Sequence, residues 1–241
     1  MTFRAIVLDF DGLVIDSETP LLEIWQEIYD QHGGSLTLEL WQHALGTQHG
    51  FDPYAELERQ TGAVLERERW VEHVRREHWS RCRREGLQPG VLARLDEARE
   101  LGLGAAVASS SGRQWVLPWL ACHDLGARVS VVCTRDDVTH VKPAPDLFLL
   151  AAERLRVPPA ECVVFEDSPN GLVAARAAGM WTVAVPRGLT RTLPFPEPDL
   201  IVGSLEELTL AELQTTLARR ADHSPRSTST GSVRMARLAD G

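Results

Sequence analysis

A doubly wound parallel α/β sheet with an all-helical insertion after its first strand is predicted by three features of the sequence. Five short apolar runs, at 5–8, 105–108, 129–133, 162–165 and 182–185, are continuous rather than alternating, as strands covered on both faces are. Helical spacing fills the intervals at 90–101, 112–123, 145–156 and 170–178, so strand and helix alternate as in βαβ units. Between residues 18 and 84 that rhythm stops, and helical segments rich in Trp, Glu and Arg replace it.

Taken in order, the run 5–8 ends at Asp9, which marks the carboxyl end of the first strand. The insertion follows, joined to the sheet by linkers near residues 16–17 and 86–90. Its basic stretch, Arg75, Arg76, Arg81, Arg83 and Arg84, is interleaved with Glu72, Glu77 and Glu85 and reads as a solvated helix face. Gly102 and Gly179 stand where C-terminal helix caps belong. Pro186, Pro194, Pro196 and Pro198 make 186–198 an irregular loop before a last strand and a helix at 204–219. From Asp222 onward the chain is rich in Ser, Thr and Arg, and a disordered tail over 222–241 is expected.

Composition narrows the functional classes. With 241 residues, 44% of them hydrophobic and 24% charged, the chain has the make-up of a soluble globular protein able to bury a core. A formal charge of −9 argues against a nucleic-acid surface, which needs clustered positive charge. No apolar run reaches membrane-spanning length, and no signal-peptide core precedes Asp9. Cys82, Cys122, Cys133 and Cys162 form no paired motif, so reduced thiols in a cytoplasmic protein are expected. Among 25 basic residues there is one lysine, Lys142.

Chemistry concentrates at the strand ends. In Asp9-Phe10-Asp11-Gly12, alternation turns both aspartates to the same side of the first strand, with no basic neighbour in sequence. Paired carboxylates of this kind raise one another's pKa or hold a hard cation such as Mg²⁺; they also serve simply as loop caps. Glu166-Asp167 leaves the strand 162–165 in the same way, and Ser168-Pro169 after it is a good helix N-cap and first turn. Ser109, Ser110 and Ser111 follow the strand 105–108 at a helix start, suited to holding a phosphate, while Ser111 with Gln114 equally fits a capping box. Pro143 and Pro145 keep Lys142 in an extended loop, where it reads either as a site cation or as an ordinary solvent-facing lysine.

Together, DFDGLVIDSE (9–18), VASSS (107–111), VKPAPDLF (141–148) and VVFEDSPNGLVAARAAG (163–179) resemble the four motifs of the haloacid-dehalogenase-like hydrolases, in the branch of β-phosphoglucomutases and sugar phosphatases. The resemblance covers about residues 3–220. It implies a Rossmann-like core (1–16 and 87–221) and a small helical cap (17–86). It makes Asp9 the nucleophile that forms an aspartyl-phosphate and Asp11 the general acid and then base. It assigns Mg²⁺ to the carboxylates of Asp9, Asp167 and Glu166 with the backbone carbonyl of Asp11. Ser109 and the Ser110 amide would bind phosphoryl oxygens, Lys142 would contact Asp9 and the phosphoryl group, and Gly12 and Ser111 would line the same pocket.

The resemblance also bears on the reaction. A cap lysine, needed by phosphonate-cleaving relatives, is missing from 18–84, and Asp11 separates this chain from the dehalogenases. Mutase caps carry a loop like Lys-Gly-x-x-Arg; here Leu45-Gly46-Thr47-Gln48-His49 has neither cation. The expected activity is an Mg²⁺-dependent phosphatase of a small phosphorylated metabolite, acting as a monomer, with Gly46, Thr47, Gln48, His49 and Trp25 selecting the substrate. A phosphosugar mutase, in which Arg75 or Arg76 reaches the second phosphate, is the alternative, and a catalytically silent binding protein is the third reading. Trp25 also fits a place in the cap core. Lys142→Arg is expected to cut turnover severely with little loss of stability.

Overall fold

Six parallel strands run in the order β3-β2-β1-β4-β5-β6 in the computed structural model, which describes residues 3–41 and 51–223. The strands are β1 (Ala5–Leu8), β2 (Gly104–Ala108), β3 (Val131–Cys133), β4 (Cys162–Glu166), β5 (Trp181–Ala184) and β6 (Leu200–Ile201). This is the expected doubly wound parallel sheet, and its order reverses direction at β1, between β2 and β4.

Side-chain alternation explains why the runs are continuously apolar. Ile6, Leu8, Val107, Val163 and Phe165 point to one face, where α5 (Val91–Glu100), α6 (Arg113–Cys122) and α9 (Leu210–His223) cover them. Ala5, Val7, Ala106, Ala108 and Val164 point to the other, against α7 (Asp146–Leu155) and α8 (Pro169–Ala177). With helices on both faces, no position of β1 is left for a polar residue.

The insertion consists of α1 (Glu18–Gln31), α2 (Leu38–Trp41), α3 (Pro53–Thr61) and α4 (Arg67–Glu85) among the described residues. Ile24, Trp25, Ile28, Tyr29 and Leu57 form its own apolar cluster. The chain enters and leaves beside itself: Ile15 bridges Leu87, and the Gln88 amide donates to the Val14 carbonyl at 2.9 Å. The basic face of α4 differs from expectation at Arg81. Its guanidinium is bidentate to Glu27 at 2.9 and 2.6 Å and ties α4 to α1, because α1 presents two acids, Glu23 and Glu27, to it.

The last helix starts at Leu210 rather than at 204. Thr209 and Glu212 form a reciprocal capping pair, with the Thr209 amide donating to Glu212 at 2.9 Å and the Glu212 amide donating to Thr209 at 3.2 Å. At its other end α9 continues to His223, two residues into the stretch expected as a tail; residues 224–241 lie outside the described residues. No helix among the described residues is long and apolar enough to cross a membrane, and all four cysteines are free.

Candidate active site

Strand register brings the chemistry together. Leu8 lies level with Val107 on one side and Phe165 on the other, so Asp9 emerges level with Glu166 at the carboxyl edge and Ser109 follows one residue further along β2. The Asp9 amide donates to the Phe165 carbonyl at 3.0 Å and the Ser109 amide to the Cys133 carbonyl at 3.0 Å, which carries the sheet pattern one residue into the site. Lys142 arrives from the loop before α7, buried rather than solvent-facing.

Oxygens of Asp9, Glu166 and Asp167 all lie within 4.8 Å of one another, and all three residues are buried. The Lys142 ammonium donates to Asp9 Oδ1 and, at 2.6 Å, to Glu166 Oε1, with Nζ 4.9 Å from the Phe148 ring centroid. The second oxygen of Glu166 accepts from the amide and the hydroxyl of Ser168, both at 2.9 Å. Two glycines make this density possible. A Cβ on Gly12, at φ +83°, would stand 2.1 Å from Asp167 Oδ2, and one on Gly171 would stand 1.7 Å from Glu166 Oε1.

The charges explain the electrostatics. Burial, then repulsion from Glu166, pushes the Asp9 carboxyl up to about 8 despite Lys142. Burial and the neighbouring Glu166 and Asp9 raise Asp167 well above the usual carboxylate range. Burial alone would lower Lys142, but the Asp9 and Glu166 carboxylates outweigh it and hold the ammonium charged. If all were ionised, three buried carboxylates facing one ammonium would leave two negative charges uncompensated, which is why Asp9 and Asp167 are raised, and the donors are all hard oxygens. That is the set a small divalent cation such as Mg²⁺ fits.

Asp11 occupies a separate place. Its side chain turns from the carboxylate cluster toward hydroxyls: Oδ1 accepts from Ser17 Oγ at 2.9 Å, and Oδ2 from Ser109 Oγ at 3.2 Å and Ser111 Oγ at 2.6 Å. Ser111 is therefore no helix cap. The cap position of α6 is Gly112, and the Arg113 amide donates instead to Asp136 at 2.6 Å. Ser168, by contrast, does cap α8, accepting from the Gly171 amide at 3.1 Å. Ser110 is half-buried next to Ser109.

Trp25 lies in the core of the helical insertion. It is 4% exposed and packs edge-on against Tyr54 at 4.6 Å, because its ring sits on the inward face of α1 among Ile24, Ile28 and Tyr29. The proposed selectivity residues Gly46, Thr47, Gln48 and His49 lie outside the described residues.

Three neighbours escape the sequence reading. Trp115 Nε1 donates to Asp11 Oδ1 at 2.8 Å. His78, on α4, stacks on Trp115 with centroids 4.8 Å apart and ring planes 9° from parallel, and its Nε2 bonds the Ser17 carbonyl at 2.7 Å. Glu18 is raised to about 7 by burial and by Asp11 and Asp16. The signal available for Trp115 is its position, one turn after the serine loop; nothing local marks His78. Two cavities flank the site. One of about 120 Å³ includes Gly12, Asp16, Glu18, Asp167 and Arg187 in its lining. The larger, of about 890 Å³, lies between α4 and α6 and includes Arg75, Arg76, Trp79, Trp115 and Arg135, but none of the clustered carboxylates.

Residues 6–185 match the model of a family described as haloacid dehalogenase-like hydrolase. The chain belongs to that family. Haloacid dehalogenase-like relatives include the "Putative phosphatase YhcW" of Bacillus subtilis (strain 168), 44% identical over 87% of this chain and 96% of that one. The "Fructose-1-phosphate phosphatase YqaB" of Escherichia coli (strain K12) is 31% identical over 76% of this chain and 96% of its own length. Among solved structures, CbbY from Rhodobacter sphaeroides in complex with phosphate superposes with a TM-score of 0.69 at 28% identity, covering 88% of this chain and 99% of that one.

Proposed function

We propose that this haloacid dehalogenase-like hydrolase is an Mg²⁺-dependent phosphatase of a small phosphomonoester, a sugar phosphate or related polyol phosphate. The observation that carries the reading is the buried set Asp9, Glu166 and Asp167 bridged by the chain's one lysine. The names of two relatives, a putative phosphatase and a fructose-1-phosphate phosphatase, point the same way.

Asp9 attacks phosphorus, forming a P–O bond to its carboxylate as the ester P–O bond breaks. Asp11 gives a proton to the departing alkoxide, then takes one from the water that attacks the aspartyl-phosphate, releasing inorganic phosphate and restoring Asp9. Ser109 and the Ser110 amide hold phosphoryl oxygens. Lys142 favours the ionised form of Asp9, which the bound cation would complete, and faces the charge that develops during transfer. Asp9, Asp167, Glu166 and the Asp11 backbone carbonyl would hold Mg²⁺, which supplies charge neutralisation between nucleophile and phosphoryl group.

A panel of sugar and polyol monophosphates with Mg²⁺, with and without EDTA, tests this against Asp9→Asn. Phosphate release by the wild type only with metal, and none by the variant, is expected. A folded wild type that releases no phosphate from any substrate refutes the reading. β-Glucose 1-phosphate with a bisphosphate primer yields free phosphate from a phosphatase and glucose 6-phosphate from a mutase.

A further inference from the structure

We propose that Trp115 is a positioning residue that fixes how the Asp11 carboxyl is turned, with Oδ1 on the indole and Oδ2 toward Ser109, and that His78 clamps it from the helical insertion. The inference rests on the reading of Asp11 as general acid and base.

Four donors surround the Asp11 carboxyl, and they are not equivalent. Ser17, Ser109 and Ser111 offer hydroxyls, which donate or accept according to how the O–H rotates. The indole of Trp115 donates only. Oδ1 is thereby held by the indole. Oδ2 has hydroxyl partners alone, Ser109 and Ser111, which rotate to donate or accept. Oδ2 is also the oxygen beside Ser109, at the carboxyl end of β2 where phosphoryl oxygens are read to bind. A proton on Oδ2 passes to the ester oxygen as its bond to phosphorus breaks. In the second step Oδ2 takes a proton from water as the water oxygen bonds to phosphorus and the bond to Asp9 breaks.

His78 holds both groups on Oδ1. Its ring lies flat on Trp115, and its Nε2 donates to the carbonyl of Ser17, whose hydroxyl is the other Oδ1 partner. Edge-on packing of Trp115 against Trp79 at 5.7 Å and Trp119 at 5.5 Å fixes the remaining freedom of the indole. The insertion thus reaches the proton donor directly through Ser17 and, by way of Trp115, through His78 and Trp79.

Leaving groups that differ in their need for a proton provide the test. Trp115→Phe keeps a ring for His78 and removes the N–H. For this variant kcat/KM for a sugar monophosphate is expected to fall about tenfold, the scale of one hydrogen bond to a charged group, and for p-nitrophenyl phosphate less than about twofold. Asp11→Asn should show the same bias, enlarged. Equal losses on both substrates would overturn the proposal and leave the phosphatase reading intact. A wild type inactive on both substrates would overturn the two together. A melting curve confirms that the variant folds. Should it not, His78→Gln, which keeps a donor for the Ser17 carbonyl and loses the stack, is expected to show the same bias at about threefold, and the absence of any bias there refutes the clamp.

Discussion

Lys142→Arg retains the charge and changes only the shape of the cation, which isolates the geometric role of the site lysine. The Lys142 side chain is 5% exposed, with carboxylates on two sides and the Phe148 ring 4.9 Å from Nζ. A guanidinium there must displace neighbours. Overpacking of this kind costs about 1–3 kcal/mol, which for a chain of this size lowers Tm by roughly 2–12 °C. The buried position therefore corrects the expectation of unchanged stability, which suits only a lysine near solvent. Turnover suffers more. A cation aimed at developing phosphoryl charge is worth about 100- to 1000-fold in kcat, and the planar head cannot take the same place between Asp9 and Glu166.

The assay pairs a thermal melt with Mg²⁺-dependent release of phosphate from a sugar phosphate. Lys142→Met supplies the contrast: it leaves Asp9 and Glu166 buried without their cation, and loss of one partner of such a pair costs about 3–5 kcal/mol. The methionine variant is thus expected to melt below the arginine variant although its volume is closer to that of lysine. If Lys142→Arg keeps kcat within about tenfold of the wild type, the lysine has no geometric role and its retention in an arginine-rich chain is chance.

Three further outcomes follow from the same contacts. Gly12→Ala is expected to raise the Mg²⁺ concentration for half-maximal activity about 10- to 100-fold, since its Cβ would stand 2.1 Å from Asp167 Oδ2; an unchanged Mg²⁺ titration refutes the close approach. In EDTA, the protein should be more stable at pH 5 than at pH 8. Asp9 is raised to about 8, so the folded state binds more protons than the unfolded one between the ordinary carboxylate range and pH 8, and stability falls as pH rises through that window. Carboxylates pulled down, such as Asp137 at about 2 through its bonds to Thr134 and Arg154 against the opposing effect of burial, lose their contribution only at lower pH. Tm that rises from pH 5 to pH 8 in EDTA would contradict the charge balance. Ser168→Ala removes the cap of α8 and one donor to Glu166, and should cost about 1–2 kcal/mol in denaturant unfolding; a change below about 0.5 kcal/mol refutes that double role.

The sheet side of the site was legible because period-two alternation is a local property. An apolar run that ends in a polar residue fixes both the strand's end and the side on which that residue emerges, and Asp9, Ser109 and Glu166 each obey that rule. The helical insertion offers no such signal. Trp25 and Trp115 are both helical tryptophans, yet one is sealed against Tyr54 and the other donates to Asp11. Helical spacing assigns a face, and which partner that face meets is set by packing between segments far apart in sequence. The contact between His78 and Ser17 spans 61 positions, and that between Trp115 and Asp11 spans 104.

The same distinction governs Ser111 and Asp11. Read locally, Ser111 and Gln114 satisfy a capping pattern as well as any pair in the chain. The serine instead turns to Asp11 because an acceptor carboxylate, half-buried at the sheet edge, binds a hydroxyl more strongly than a helix amide does, and Asp136 supplies the α6 terminus with its own acceptor. A carboxylate within reach does not by itself prevent capping, because the Ser168 hydroxyl donates to Glu166 while accepting from the Gly171 amide; what differs at Ser111 is that Asp136 accepts from the amide at the start of α6. At the carboxyl edge of a parallel sheet, where acids from neighbouring strands converge, a serine at a helix start is read first as a donor to the site, with capping an additional role where the helix amide has no other acceptor, as at Ser168.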